Sequence, residues 1–435
     1  MRSVIDLLFR GAENNRAQRA LPVLLLAGTV VIRIAFAWSA PVARLYPDHQ
    51  EYEHLARNLV RYHTYGFTPD WRQDAEMAKS PWRSLYDSSG MVRPPGYPFV
   101  LAVLAKTVGW NYRAHQAVLA VVEGAMVVVV YFLAKMLFGA VAGMLAAGLC
   151  MVNPGMLDYM TKLGREPFLA FFLALSLYLV LRAFRERCGV LASLAGVGFG
   201  LGGYFKETVA MAGAVAVVWV FLAGWRTRCP FVRIGALVLA GIVMTVAPWV
   251  VRNSAMYGRV VGFTNLSGCA MYLGLVPADW TKRQPAEFQA GLDPSTAQDG
   301  VEADRRYKAQ VWAYVKDQPA GAVRAMLRNA AYFWLPFPRE VWQSGFRSLR
   351  EVVAAIYYMA AFILAIAGGV MYRRRPEAWL AVLVLLGMTG LHAICVSWPR
   401  YRTPFDPIVL IFAAAAITAW MEKRRAPMIA GAAEP

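Results

Sequence analysis

A chain of 435 residues that is 58% hydrophobic and 17% charged is too apolar for a soluble domain of ordinary composition and reads as a polytopic membrane protein. Its formal net charge of +18 implies no nucleic-acid partner, because the Lys and Arg gather in short clusters beside apolar runs, the pattern of cytoplasmic loops. Five cysteines, scattered over apolar runs and connectors, carry neither a disulfide framework nor a metal-ligand spacing.

Residues 1–20 are basic and precede the first apolar run, 21–40. The segment "AWSAPVA" resembles a small-residue cleavage site, but a run of full span length behind so long a basic stretch predicts an uncleaved anchor. Further runs at 114–135, 138–158, 166–184, 189–205, 208–224, 232–251, 352–372, 376–396 and 404–421 match the roughly 20 helical residues that cross a hydrocarbon core.

The stretch "RPPGYPFVLAVLAKTVGW", 93–110, is borderline, and parity decides it. With the N-terminus inside and 94–110 treated as an interfacial or re-entrant helix, Lys135 and the basic clusters at 182–187, 226–233 and 373–375 all face the cytoplasm. Counted as a full span, it would invert every later loop.

The prediction is therefore an all-α integral membrane protein of about ten transmembrane helices with both termini in the cytoplasm. A seven-span core occupies 21–251, with the first outer loop at 41–113; a large outer loop at 252–351, three C-terminal spans within 352–421 and a short disordered tail at 422–435 follow. The large loop is polar at first and ends in "AVRAMLRNAAYFWLPFP", whose aromatic and basic mix predicts a helix lying at the interface and a small external subdomain. In "GVGFGLGGYF", 196–205, the glycines have dinucleotide-fingerprint spacing but sit inside an apolar span, so Gly196 with Gly200 and Gly198 with Gly202 predict close helix packing instead. No Walker loop supports ATP-driven transport, and Arg33, well inside the first span, has no partner that the sequence identifies.

Chemistry concentrates in the outer loops. In "YPDHQEYEHLARNL", Asp48, Glu51, Tyr52, Leu55 and Leu59 recur at helical spacing, so a helix starting at Pro47 carries two carboxylates on one face; Asp48 and Glu51 also resemble a capping box. His49 and His54 are out of register on such a helix, which argues against a zinc site built from it alone. Arg93, Lys162, Arg165, Glu166, Lys206, Glu207, Arg252, Arg400 and Arg402 fall on the same outer surface, against the positive-inside bias. Singly, each is more often a snorkelling anchor; jointly, and beside Tyr97 and Tyr401, they suit an amphiphilic phosphate-linked substrate, since the arginine fork binds two phosphate oxygens. Asp48 is the candidate general base.

The order of these features resembles the GT-C superfamily of polytopic glycosyltransferases, in particular the bacterial branch similar to protein O-mannosyltransferases and the lipid A aminoarabinose transferase. The resemblance rests on "YPDHQEYEHLARNL", "RPPGYPFVLAV", "KLGREPF", the loop beginning "PWVVRNSAMYGR", and "RYRTPFDPIVLI", in that order and on one side of the membrane. It implies inverting transfer of a sugar from a polyprenyl-phosphate-linked donor to a glycan, lipid or protein acceptor at the periplasmic face of the bacterial inner membrane. It makes Asp48 the general base, with Glu51 and Glu166 as supporting acids, and Arg93, Tyr97, Lys206, Arg252, Arg400, Tyr401 and Arg402 as the lipid-phosphate site. Many relatives carry Asp-Glu where this chain has Asp48 and His49, which leaves open a divalent metal ion with those two residues as its candidate ligands. Rival readings are a lipid-linked glycan flippase, which needs cations but no base, and a glycan ligase or polymerase.

Overall fold

The computed structural model describes residues 16–39, 47–73, 77–80, 82–225, 230–338, 341 and 345–431. The basic stretch before Arg16, the segment 226–229 of one predicted cluster and the last four residues lie outside them. Among the described residues the chain is helical, without strands.

Helix α1 (Arg16–Ser39) is followed in the first outer loop by α2 (Pro47–Tyr62) and α3 (Gly96–Val108). Then come α4 (Tyr112–Phe138), α5 (Ala140–Met151), α6 (Pro154–Lys162), α7 (Glu166–Glu186), α8 (Gly189–Phe205), α9 (Glu207–Gly224) and α10 (Phe231–Tyr257). The large outer loop holds α11 (Ser267–Leu275), α12 (Ala278–Arg283), α13 (Ala286–Leu292), α14 (Gly300–Asp317) and α15 (Pro319–Phe333). Helices α16 (Leu349–Met371), α17 (Pro376–Ile394) and α18 (Asp406–Gly431) complete the bundle. Helix α18 runs through most of the expected disordered tail, because "MEKRRA" is built of good helix formers.

Nine helices among the described residues are long and apolar enough to cross a membrane. The expected tenth, α8, has 17 residues, about 26 Å at the usual helical rise. It packs along α7 all the same: Arg165, just before α7, donates from Nη1 to the Phe205 carbonyl at the end of α8 (2.8 Å), so the two helices lie antiparallel. The glycine pairs explain how α8 packs so tightly. A Cβ at Gly196 would strike the Val238 carbonyl and one at Gly200 would strike Thr245, both on α10, while Gly198 meets Ser176 on α7.

Helix α3 does not cross. Its first residue, Gly96, lies against the Tyr204 carbonyl at the outer end of α8, and the following helix opens where Arg113 bonds the Ala37 carbonyl (2.7 Å) at the outer end of α1. Both ends of α3 thus lie on one side, as parity predicts.

The run expected as one span at 138–158 is one long apolar segment, Ala140–Lys162, interrupted between α5 and α6 at Asn153–Pro154, where Asn153 Oδ1 accepts from Met156 N (3.0 Å). The break ends α5, and Arg33 bonds its last two carbonyls, of which Cys150 O also accepts from Asn153 N (3.3 Å). Arg33 Nη1 donates to Met151 O (2.7 Å), its Nη2 to Cys150 O (3.1 Å), and its Nε pairs with fully buried Glu123 on α4. The intramembrane arginine is a helix cap with a counter-ion.

The outer loops form one cap. Leu55, Phe67, Trp82 and Leu85 of the first loop share an apolar cluster with Trp249, Cys269 and Ala303. Asp87 accepts from Gly300 N (3.1 Å) and from Tyr257, binding the first loop to the second. Helix α15 buries Ala322, Ala325, Asn329 and Phe333 and exposes Val323 and Leu327. It does more than lie flat: at its end Trp334 bonds Thr389 of α17 (3.1 Å) and meets Phe362 of α16, below the outer ends of both helices.

Candidate functional site

Helix α2 starts at Pro47, which places Asp48 in the first turn, where unpaired N–H groups favour a carboxylate. Asp48 Oδ1 accepts from Arg93 Nη2 (2.8 Å) and Oδ2 from Arg400 Nη2 (3.1 Å). One turn on, Glu51 is fully buried; it pairs with Arg93 Nε and accepts from Ser80 Oγ (2.9 Å) and Tyr86. Glu51, Arg93, Asp48 and Arg400 therefore form a chain of alternating charge that links α2, the turn before α3 and the segment before α18.

Burial alone would raise the Asp48 pKa, but Arg93, Arg400 and Arg165 outweigh it and hold the carboxyl well below the usual carboxylate range. Burial pushes Glu51 upward against the pull of Arg93. The Tyr52 ring lies between two guanidinium groups, Arg93 at 5.4 Å and Arg165 at 5.2 Å. The sequence assigns neither Arg165 nor Tyr52 a role of its own, though Arg165 is among the charges expected on the outer surface and Tyr52, four after Asp48, shares its helical face.

Beside Arg400, Tyr401 offers its ring to Arg400 at 5.1 Å and to Lys206 Nζ at 4.3 Å. Lys206 sits between α8 and α9, and burial, together with nearby Arg165, lowers its pKa to about 8. Glu166 opens α7, half-buried, close enough to Lys206 and Tyr52 to act on their charge.

The structure thus gathers Asp48, Arg93, Arg400, Tyr401 and Lys206, with Glu51 beneath and Glu166 alongside. Three expected phosphate ligands have other work. Tyr97 is buried and donates from its hydroxyl to the Leu163 carbonyl. Arg252 donates to Ser89 O (2.6 Å) and Tyr65 O (2.7 Å) and stacks on Trp249, pinning the first outer loop to α10. Arg402 is buried with Asp406 (2.9 Å), bonds Leu335 O (2.8 Å) and lies over Tyr358. Arg93 too is only 2% exposed and neutralised by two acids, which suits it to holding Asp48 rather than a ligand.

His49 points away from Asp48. Its Nδ1 meets Leu163 O (3.2 Å) and its Nε2 lies 3.7 Å from Glu53. Leu163 closes α6 with φ of 51°, a left-handed conformation that costs a non-glycine residue roughly 1–2 kcal/mol; His49 and Tyr97 both hold its carbonyl. A divalent ion does not fit here: Asp48 is flanked by cations, His49 faces elsewhere, and among the described residues no three His, Cys, Asp or Glu converge.

Residues 92–251 match the family of dolichyl-phosphate-mannose-protein mannosyltransferases. No curated protein matches the chain. Among solved structures, the archaeal oligosaccharyltransferase AglB from Archaeoglobus fulgidus, in complex with an inhibitory peptide and a dolichol-phosphate, superposes with a TM-score of 0.57 at 12% identity, over 97% of this chain and 53% of that one. The apo form of the Archaeoglobus fulgidus oligosaccharyltransferase gives 0.59 at 14% identity, over the same shares, 97% and 53%. The fold is the one these oligosaccharyltransferase structures share with this chain. ArnT from Cupriavidus metallidurans bound to undecaprenyl phosphate is similar at a TM-score of 0.41 and 15% identity, over 91% of this chain and 77% of that one. The chain spans about half the length of the oligosaccharyltransferases it matches, 53%. The matched range 92–251 contains Arg93, Tyr97, Glu166 and Lys206, and Asp48 and Arg400 lie outside it.

Proposed function

We propose that the protein is an inverting glycosyltransferase that moves a sugar from a polyprenyl-phosphate-linked donor to an acceptor hydroxyl of a glycan, lipid or protein, at the periplasmic face of a bacterial inner membrane. The observation that carries this reading is an ionised Asp48 on the outer rim of a GT-C bundle, with the Arg400, Tyr401 and Lys206 group directly beside it. Asp48 accepts the proton of the acceptor hydroxyl while that oxygen attacks the anomeric carbon from the face opposite the phosphate. The bond between the anomeric carbon and the phosphate oxygen breaks, its electron pair stays on the phosphate, and the sugar inverts. Arg400 and Lys206 stabilise the charge that grows on the leaving phosphate, a task suited to preformed cations in a partly dry site. Arg93, anchored by Glu51, orients the base.

Basic clusters at the opposite ends of the spans support the outward orientation of the site. The test is incubation of purified protein in liposomes with polyprenyl-phosphate-linked sugars and candidate acceptors, followed by product mass spectrometry. Addition of one sugar with inverted anomeric configuration is expected. A shift of many sugars would point to ligation or polymerisation, and movement of the lipid without transfer would point to a flippase.

A further inference from the structure

Asp48 is ionised, but an acid held this strongly by arginines is a weak base, since proton acceptance improves as the pKa of the base approaches working pH. Something must loosen it before it can take a proton. The two arginines that hold it differ in how easily they can leave.

Arg93 is 2% exposed and is tied through Nε to buried Glu51 as well as to Asp48. Removing it would strand a buried carboxylate. Arg400 has a side chain 38% exposed, reaches Asp48 Oδ2 through Nη2 at a longer 3.1 Å, and approaches Tyr401 OH at 3.4 Å with the same atom. Its guanidinium already lies over the Tyr401 ring, which Lys206 also approaches. Two cations on one ring repel each other, and Arg400 is among the charges that lower the proton affinity of Lys206. An anion seated there relieves that repulsion.

We propose that Arg400 is an exchangeable ligand: it caps Asp48 in the resting site and passes to the phosphate of the lipid donor on binding, uncovering Asp48 Oδ2 for the acceptor hydroxyl. This rests on the proposed function and adds an order to it. The donor binds first and arms the base; without donor, Arg400 keeps Asp48 covered. Arg93 stays throughout, and Arg165, across the Tyr52 ring, supplies a fixed positive background.

The test is a double-mutant cycle on binding of undecaprenyl phosphate to the full-length protein in detergent, with thermal unfolding of each variant as the control. Asp48→Asn is expected to tighten binding about fivefold, because Arg400 no longer has to leave a carboxylate. Arg400→Gln is expected to weaken it about tenfold or more. In the Arg400→Gln background, Asp48→Asn is expected to change nothing. Equal tightening in both backgrounds would mean that Asp48 merely repels the phosphate, and no tightening in either would mean that the two residues are uncoupled; each overturns the exchange. Failure of the unaltered protein to bind undecaprenyl phosphate overturns the lipid-phosphate reading itself, a distinct result. Should Asp48→Asn not fold, Asp48→Ala takes its place in the same cycle.

Discussion

At the scale of single residues, the proposed reaction asks Asp48 to be ionised at working pH and yet basic enough to take a proton, and its two arginines favour the first at the expense of the second. Lys206 carries the complementary prediction. With its pKa lowered to about 8, it holds a proton below that pH and loses it above, so phosphate binding through it weakens as pH rises. Between pH of about 8 and about 9.5, where a phosphate monoester is already fully ionised, affinity for undecaprenyl phosphate is expected to fall, and Lys206→Gln to flatten that fall. A titration of binding against pH checks both. The helix start at Pro47 that carries Asp48 was legible in the sequence, because an acidic residue at a helix start directly after a span is a strong local signal. The work of Arg93, Tyr97, Arg252 and Arg402 was not, because an arginine or tyrosine at a span end reads alike whether it faces a ligand or a buried carbonyl. Burial and partners separate the cases: Arg402 and Arg93 are each 2% exposed, half-buried Arg252 is held by the Ser89 and Tyr65 carbonyls, and the Arg400 side chain, two residues from Arg402, is 38% exposed.

At the scale of elements, the break between α5 and α6 shows how an intramembrane charge is earned by backbone geometry. Sequence reading saw one apolar run and an unexplained Arg33; the structure joins them, because the end of α5 needs donors and Glu123 supplies the counter-ion. Arg33→Leu leaves Glu123 buried without its partner and is expected to cost about 3–5 kcal/mol of stability. Arg33→Leu with Glu123→Leu should recover a large part of that loss, measured as reversible unfolding in detergent. If Arg33→Leu alone were neutral, the pair would not be a structural cap. The glycine periodicity of α8 was readable because small residues four apart have one common use in an apolar helix, and the structure puts Gly196 and Gly200 against α10 as that use requires.

At the scale of the whole molecule, the run lengths were enough to find the long apolar helices, and the basic clusters predict which of their ends face the cytoplasm. The joining of the two outer loops was not readable: Asp87 and Gly300 lie 213 positions apart and no local pattern announces their contact. The arrangement predicts labelling of single cysteines by a membrane-impermeant maleimide in a cysteine-free background. Val260→Cys, in the outer cap and 94% exposed, is expected to react in intact cells, and Val190→Cys, at the opposite end of α8, only after lysis. The reverse pattern would turn the site toward the cytoplasm. The most direct measurement of the central claim is the rate of sugar transfer from a polyprenyl-phosphate-linked donor in liposomes by the unaltered protein and by folded Asp48→Asn. The account predicts a loss of roughly 10²–10⁴-fold in turnover with donor binding retained, the span expected for removal of a general base. Undiminished transfer by Asp48→Asn would contradict it.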